Sequence, residues 1–351
     1  MTNIVAPTLN ARLACACNCA YDISTTSGHY SPQPQYSVGA GWQGTPTAFA
    51  KSLNGTSSGS LINACLVGLT TDGIVVAFRG TIPPQWTRGS IEDWLQDIID
   101  VQPVQASSLP GKVHAGFWNA LCTLWDELLA QINSLKQQHG DAKIYITGHS
   151  KGGPMASLCA ARLSFEAHVD ATEVVTFASP HAGDTAFVNG FPANIPVTRF
   201  ENYLDLVPFL PPTQAFFEDV NWVCDNSIGE ALTKLLPKDL VKAWNKAANW
   251  DYAPLGRLQY VTDKGHVVSQ SDSRADAWWR LLDILGSLFD TTGDPHGLEG
   301  RKAQLNSIST QLSSEVQISF SKIGDAHCIA CKGPACAGGY MTGAGGSPIC
   351  G

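Results

Sequence analysis

No run of lysine and arginine interrupts this chain, and its 22 basic residues are outnumbered by 30 acidic ones. The formal net charge of −8 argues against the electropositive footprint that nucleic acid requires, and against electrostatic docking on anionic lipid. Long apolar runs are missing too. No stretch approaches the roughly 20 residues that a membrane-spanning helix needs. The opening residues, MTNIVAPTLNARLACACNCAYD, lack the basic-then-apolar layout of a secretory leader. A cytoplasmic location is the default expectation, with secretion by another route left open. No repeat period is evident and no linker divides the centre, so a single domain over residues 1–351 is expected.

What is present suits a large buried core: 44% of the residues are hydrophobic and only 15% charged. The eleven cysteines fall mainly at the two ends, with Cys15, Cys17 and Cys19 near the start and Cys328, Cys331, Cys336 and Cys350 in a Cys-rich tail, 324–351. An odd count leaves one thiol without an intramolecular disulfide partner. Cys65, Cys122 and Cys159 stand in apolar segments and read as small buried hydrophobes.

Residues 28–60 are rich in Gly, Ser, Pro and Thr and read as loops laid over an N-terminal helix. Two β-branched runs follow, NACLVGLT (63–70) and GIVVAFRG (73–80), joined by a turn. LCTLWDELLAQINSLKQQHG (121–140) has helical spacing and ends on glycine. AKIYITG (142–148) reads as a strand, GGPMASLCAARLSFE (152–166) as a helix, and TEVVTFASP (172–180) and IPVTRFENYLDLVP (195–208) as further strands. LQYVTDKGHVVS (258–269) reads as a hairpin. Continuous apolar strands alternating with helices imply a mostly parallel sheet covered on both faces.

Gly148-His149-Ser150-Lys151-Gly152 is a G-x-S-x-G sequence placed between a strand and a helix. A serine on such a turn is forced into a strained backbone conformation that lifts its hydroxyl clear of the sheet, and the flanking glycines let strand and helix approach. The backbone amides after it, at a helix N-terminus, face the place where negative charge would develop. A Gly-Ser turn without chemistry is the plain alternative.

Five segments together resemble the class 3 lipase family: VVAFRGT (75–81), VHAGF (113–117), TGHSKGG (147–153), VTFASPHAGD (175–184) and ENYLDLVPFLPP (201–212). The resemblance implies an α/β-hydrolase fold and a serine hydrolase, a lipase or carboxylesterase that cleaves lipid esters without metal or organic cofactor. Ser150 would be the nucleophile. The backbone N–H groups of Thr81 and Lys151 would form the oxyanion hole, and Asp205 would orient the catalytic histidine. Asp205 could instead be a turn residue, whereas Asp93 and Asp97 read as helix-surface charges. Substrate lipid and transient contact with a lipid interface are the partners implied. A catalytically inactive binding protein on the same fold is the alternative.

The chain order Ser–Asp–His leaves three histidines after Asp205. His266 sits in the hairpin turn. His296 resembles the family's H-x-x-x-x-Y ending, but Arg301 replaces the tyrosine. His327, followed by GGYMTG, is favoured as the base. His149 reads as a packing residue, and His114 and His181 as core histidines close to the cleft. Cys328-x-x-Cys331 with Cys336 and Cys350 would suit disulfides better than zinc, because only one C-x-x-C is present. Trp86, Ile91, Trp94 and Leu95 give 82–97 an apolar side suited to a lid, and 213–250, rich in Phe, Trp and Leu, reads as a helical cap.

Overall fold

The computed structural model describes residues 5–81, 98, 101–203, 205–213, 250–262, 266–269, 280, 327, 329 and 340. The expected lid, 82–97, lies outside them, as does 213–250 apart from its two end residues. His296, Cys328, Cys331, Cys336 and Cys350 also fall outside.

The described elements run in chain order as α1 (Leu9–Ala20), α2 (Pro34–Ala40), β1 (Thr47–Lys51), β2 (Asn63–Leu69), β3 (Ile74–Phe78), β4 (Pro103–Gln105), β5 (Lys112–His114) and α3 (Ala115–His139). There follow β6 (Ile144–His149), α4 (Gly152–Ala167), β7 (Glu173–Phe177), β8 (Gly183–Asp184), α5 (Thr185–Gly190), β9 (Val197–Asn202), β10 (Tyr252–Ala253), β11 (Arg257–Val261) and β12 (Val267–Ser269). Eight strands form the main sheet in the order β1-β2-β3-β6-β7-β9-β11-β12. From β3 to β11 every neighbouring pair is parallel. The pairs β1–β2, β2–β3 and β11–β12 are antiparallel. Four short strands, β10-β8-β5-β4, make a second, antiparallel sheet.

The apolar runs explain the layers. A strand turns successive side chains to opposite faces, so an unbroken apolar strand needs cover on both. Cys65, Val67, Val76, Ile146 and Val174 point to one side, where they pack with Leu121, Leu124 and Leu128 of α3 and Met155 and Leu158 of α4. Ala64, Leu66, Val75, Ala77 and Val175 point to the other, against Leu13, Ala16 and Cys17 of α1. The small residues of α1 let it lie close to the sheet, and Thr8 caps its start by accepting from the Ala11 N–H. Among the described residues no helix is long and apolar enough to cross a membrane.

Two expectations need correction. The stretch 28–60 is not all loop, since it holds α2 and the partly exposed strand β1. Its turn-forming flanks conceal a short outer strand whose side chains alternate only weakly. Cys122 is exposed rather than buried. It follows Leu121 by one position, about 100° around the helix, which turns it off the stripe formed by Leu121, Leu124, Trp125 and Leu128.

His114 shows how a polar side chain is accommodated in this core. Its Nε2 lies 3.0 Å from the Ile98 carbonyl, so Nε2 carries the proton and donates. Nδ1 accepts from the Phe117 N–H at 3.4 Å, capping α3. Burial lowers its pKa from 6.5 to about 4. The unfolded chain therefore binds the extra proton first as pH falls. Stability should decline between about pH 6.5 and 4, by up to about 3 kcal/mol from this group, and the loss should level off below that window. Urea midpoints across a pH series measure the decline. A His114→Asn chain, which keeps a capping acceptor, should show a shallower slope.

Candidate active site

β6 runs buried through the middle of the sheet and ends at His149; α4 begins at Gly152. The two residues between them must reverse the chain at once. Ser150 does so with φ at +56°, in the left-handed region that non-glycine residues rarely occupy. Its N–H donates to the Phe177 carbonyl on β7 at 3.0 Å, and its own carbonyl accepts from the Gly153 N–H at 2.8 Å. A Cβ on Gly148 would collide with the Gly152 carbonyl, and one on Gly152 with the Phe78 carbonyl on β3. The glycines of the pentapeptide are therefore required by contact between backbones.

The loop after β3 lies against this turn. A Cβ on Gly80 would stand 2.9 Å from the Ser150 Cβ and 2.8 Å from the His149 carbonyl, and would collide with the Tyr21 hydroxyl. Thr81, the next residue, is partly buried. Arg79 turns inward and donates to the carbonyls of Ile23 and Leu61, at 2.6 and 2.5 Å. Lys151 precedes the first residue of α4, and its ammonium donates to Asn63 Oδ1 at 2.6 Å. Burial, with the nearby Arg79 charge, lowers the Lys151 pKa to about 8. Two cationic side chains thus flank the turn.

Asp205, just beyond β9, is buried and receives three donors. The Val207 N–H donates to Oδ1 at 2.9 Å, and the Tyr340 hydroxyl to Oδ2 at 2.5 Å. His327 Nδ1 lies 3.1 Å from Oδ1 and 3.0 Å from Oδ2, so Nδ1 carries the proton. Tyr340 in turn accepts from the Asn202 N–H at 2.9 Å. Burial and the adjacent carboxylate raise the Tyr340 pKa, which keeps its hydroxyl a donor. The His327 ring packs on the ring of His149, with centroids 4.9 Å apart and planes 36° apart.

The structure thus brings Asp205 and His327 together and sets His327 against the residue that precedes Ser150. Thr81 and Lys151 sit on the loop and helix start that border Ser150. His266 lies at the β11–β12 turn, where its N–H bonds Thr262 Oγ1. His114 and His181 are buried, each with a ring nitrogen bonded to a backbone carbonyl, Ile98 and Pro211. Sequence reasoning missed Tyr340 and Tyr21. For Tyr340 there was a usable signal, a tyrosine in GGYMTG shortly after His327. Nothing in the sequence marks Tyr21.

Residues 75–215 match the family described as Lipase (class 3). Similar sequences include a lipase of Rhizomucor miehei, 34% identical over 162 residues, covering 44% of this chain and 42% of that protein. A secreted mono- and diacylglycerol lipase of Malassezia restricta is 31% identical over 156 residues, covering 42% and 49%. One from Penicillium cyclopium, also secreted, is 26% identical over 142 residues, covering 40% and 44%. The chain spans less than half the length of these relatives. Among solved structures, a triacylglycerol lipase whose catalytic centre is described as a serine protease triad superposes with a TM-score of 0.52 at 22% identity, covering 73% of this chain and 80% of the other. The Rhizomucor miehei triacylglyceride lipase gives 0.50 at 21% identity, covering 74% and 83%. The cytoplasmic default does not stand beside these matches, because two of the relatives are named secreted lipases. The composition of the opening residues does not by itself decide location. Residues 75–215 are thus similar to the class 3 lipase family, and the chain has the α/β-hydrolase fold of these solved structures.

Proposed function

We propose that this chain is a serine-dependent carboxylic ester hydrolase, a lipase acting on acylglycerols or related lipid esters. One observation carries the reading: a buried carboxylate orients the imidazole of His327, which packs on the ring of His149, the residue that precedes a serine held at positive φ between strand and helix. In this mechanism His327 takes the Ser150 proton on Nε2 while Asp205 accepts the hydrogen bond from Nδ1 and balances the imidazolium. Ser150 Oγ attacks the ester carbonyl, and the backbone N–H groups of Thr81 and Lys151 hold the oxyanion. The alcohol leaves with the proton from His327, water attacks the acyl-enzyme, and the acid departs. The acylglycerol part of the reading is supported by the names of the relatives, and contact with a lipid interface by the apolar composition of 82–97.

Ser150→Ala should lower p-nitrophenyl ester hydrolysis by roughly 10⁴-fold or more and abolish labelling by a fluorophosphonate, with the fold retained by circular dichroism. His327→Ala should cause a comparable loss and His296→Ala should not. Loss confined to His296→Ala would move the base. A folded wild type that neither turns over esters nor takes the label would favour the binding-protein alternative.

Tyr340→Phe removes one donor to Asp205 and the acceptor of the Asn202 N–H. It should destabilise the fold by about 2 kcal/mol, measured by urea denaturation, and also lower kcat.

A further inference from the structure

His149 is more than packing beside the nucleophile. Its Nε2 lies 2.7 Å from the backbone carbonyl oxygen of His327, and its Nδ1 lies 2.7 Å from the hydroxyl of Tyr21. A carbonyl can only accept, so Nε2 carries the ring proton and donates it. Burial and the adjacent His327 hold the His149 pKa well below its ordinary value, so the ring is neutral and Nδ1 is a bare acceptor. The Tyr21 hydroxyl must then be the donor to Nδ1. Each polar atom in this chain has one assignment consistent with its neighbours.

The parts joined are far apart in sequence. Tyr21 is the C-terminal cap of α1, and its hydroxyl also fills the space that a Cβ on Gly80 would need. His149 is the last residue of β6 and stacks tilted on the His327 ring. Tyr340 also meets the His149 ring edge-on, with centroids 6.1 Å apart. The hydrogen bonds thus run from the end of α1, through the residue before Ser150, to the main chain of His327. Asp205 fixes the direction of the His327 imidazole, but a side-chain contact alone does not fix the height of its backbone above the nucleophile turn.

We propose that His149 and Tyr21 are positioning residues: the Tyr21 hydroxyl anchors the His149 ring at Nδ1, and the Nε2–H holds the main chain of His327 where its ring meets Asp205 and packs beside the nucleophile turn. This rests on the reading of His327 as the base. Without the Tyr21 hydroxyl, Nδ1 becomes a buried acceptor left unpaired. The ring then loses one of its two hydrogen-bonded anchors, and the geometry of its Nε2–H bond to the His327 carbonyl is no longer fixed from the other end.

The test compares Tyr21→Phe, His149→Leu and His149→Gln with the wild type in p-nitrophenyl butyrate hydrolysis and in proton NMR of the His327 Nδ1–H. Tyr21→Phe and His149→Leu should lower kcat about 10- to 100-fold with KM unchanged, and the downfield Nδ1–H resonance should shift or broaden. His149→Gln, whose side-chain amide can still donate to the His327 carbonyl, should recover most of the rate and a sharp resonance. A protein that only needed filled volume would favour Leu over Gln, the opposite order. Wild-type kcat together with a wild-type resonance in folded Tyr21→Phe would overturn the proposal. Should His149→Leu fail to fold, Tyr21→Phe decides alone, since it deletes a single oxygen. The same assay on His327→Ala separates the two levels: full activity there removes the base reading, whereas its loss beside an unaffected Tyr21→Phe removes only the positioning role.

Discussion

A buried carboxylate must be satisfied wherever the fold puts it, and Asp205 is the point at which this requirement organises the molecule. Isolated in the interior, its charge would be too costly to keep. Three donors converge on it instead, from Val207, His327 and Tyr340. Two of them come from residues more than a hundred positions further along the chain. His327 and Tyr340 are therefore drawn to the end of β9 by an electrostatic demand that the sheet itself creates.

The second constraint lies in the backbone. Ser150 keeps its positive φ because β3, β6 and α4 approach so closely that side chains are excluded at Gly148 and Gly152. Burial of the sheet on both faces supplies the force that holds this turn, since relaxing it would separate α4 from the apolar residues of β3 and β6. Strain at the serine and packing of the core are one problem, solved together. A second buried ion network, in which Glu201 pairs with Arg199 and Arg280, lies four residues before Asp205 and holds its charge by the same logic of paired burial.

Much of this was legible in the sequence where the signal is local. The strands β2, β3, β6, β7 and β9 are rich in apolar and β-branched residues, and the pentapeptide around Ser150 sits where strand gives way to helix. The β11–β12 hairpin was also readable from its turn residues. The outer strand β1 was hidden, because a partly exposed strand flanked by Gly, Ser and Pro has the composition of a loop. Cys122 misled by its apolar neighbours, since burial on a helix is set by angle. Tyr21 could not be connected to the site by pattern at all, and Tyr340 only by its place in GGYMTG after His327: each acts through a partner more than a hundred residues away. Long-range pairing of polar atoms leaves no periodicity to read.

The order in which these pieces leave the ribosome has its own consequence. Ser150 and Asp205 are made together with the strands that carry them, but His327 and Tyr340 follow only after more than a hundred further residues. A growing chain can thus close the sheet through β9 and form the serine turn while Asp205 still faces water rather than an imidazole. Completion of the site is deferred until the sheet that must hold it has been synthesised.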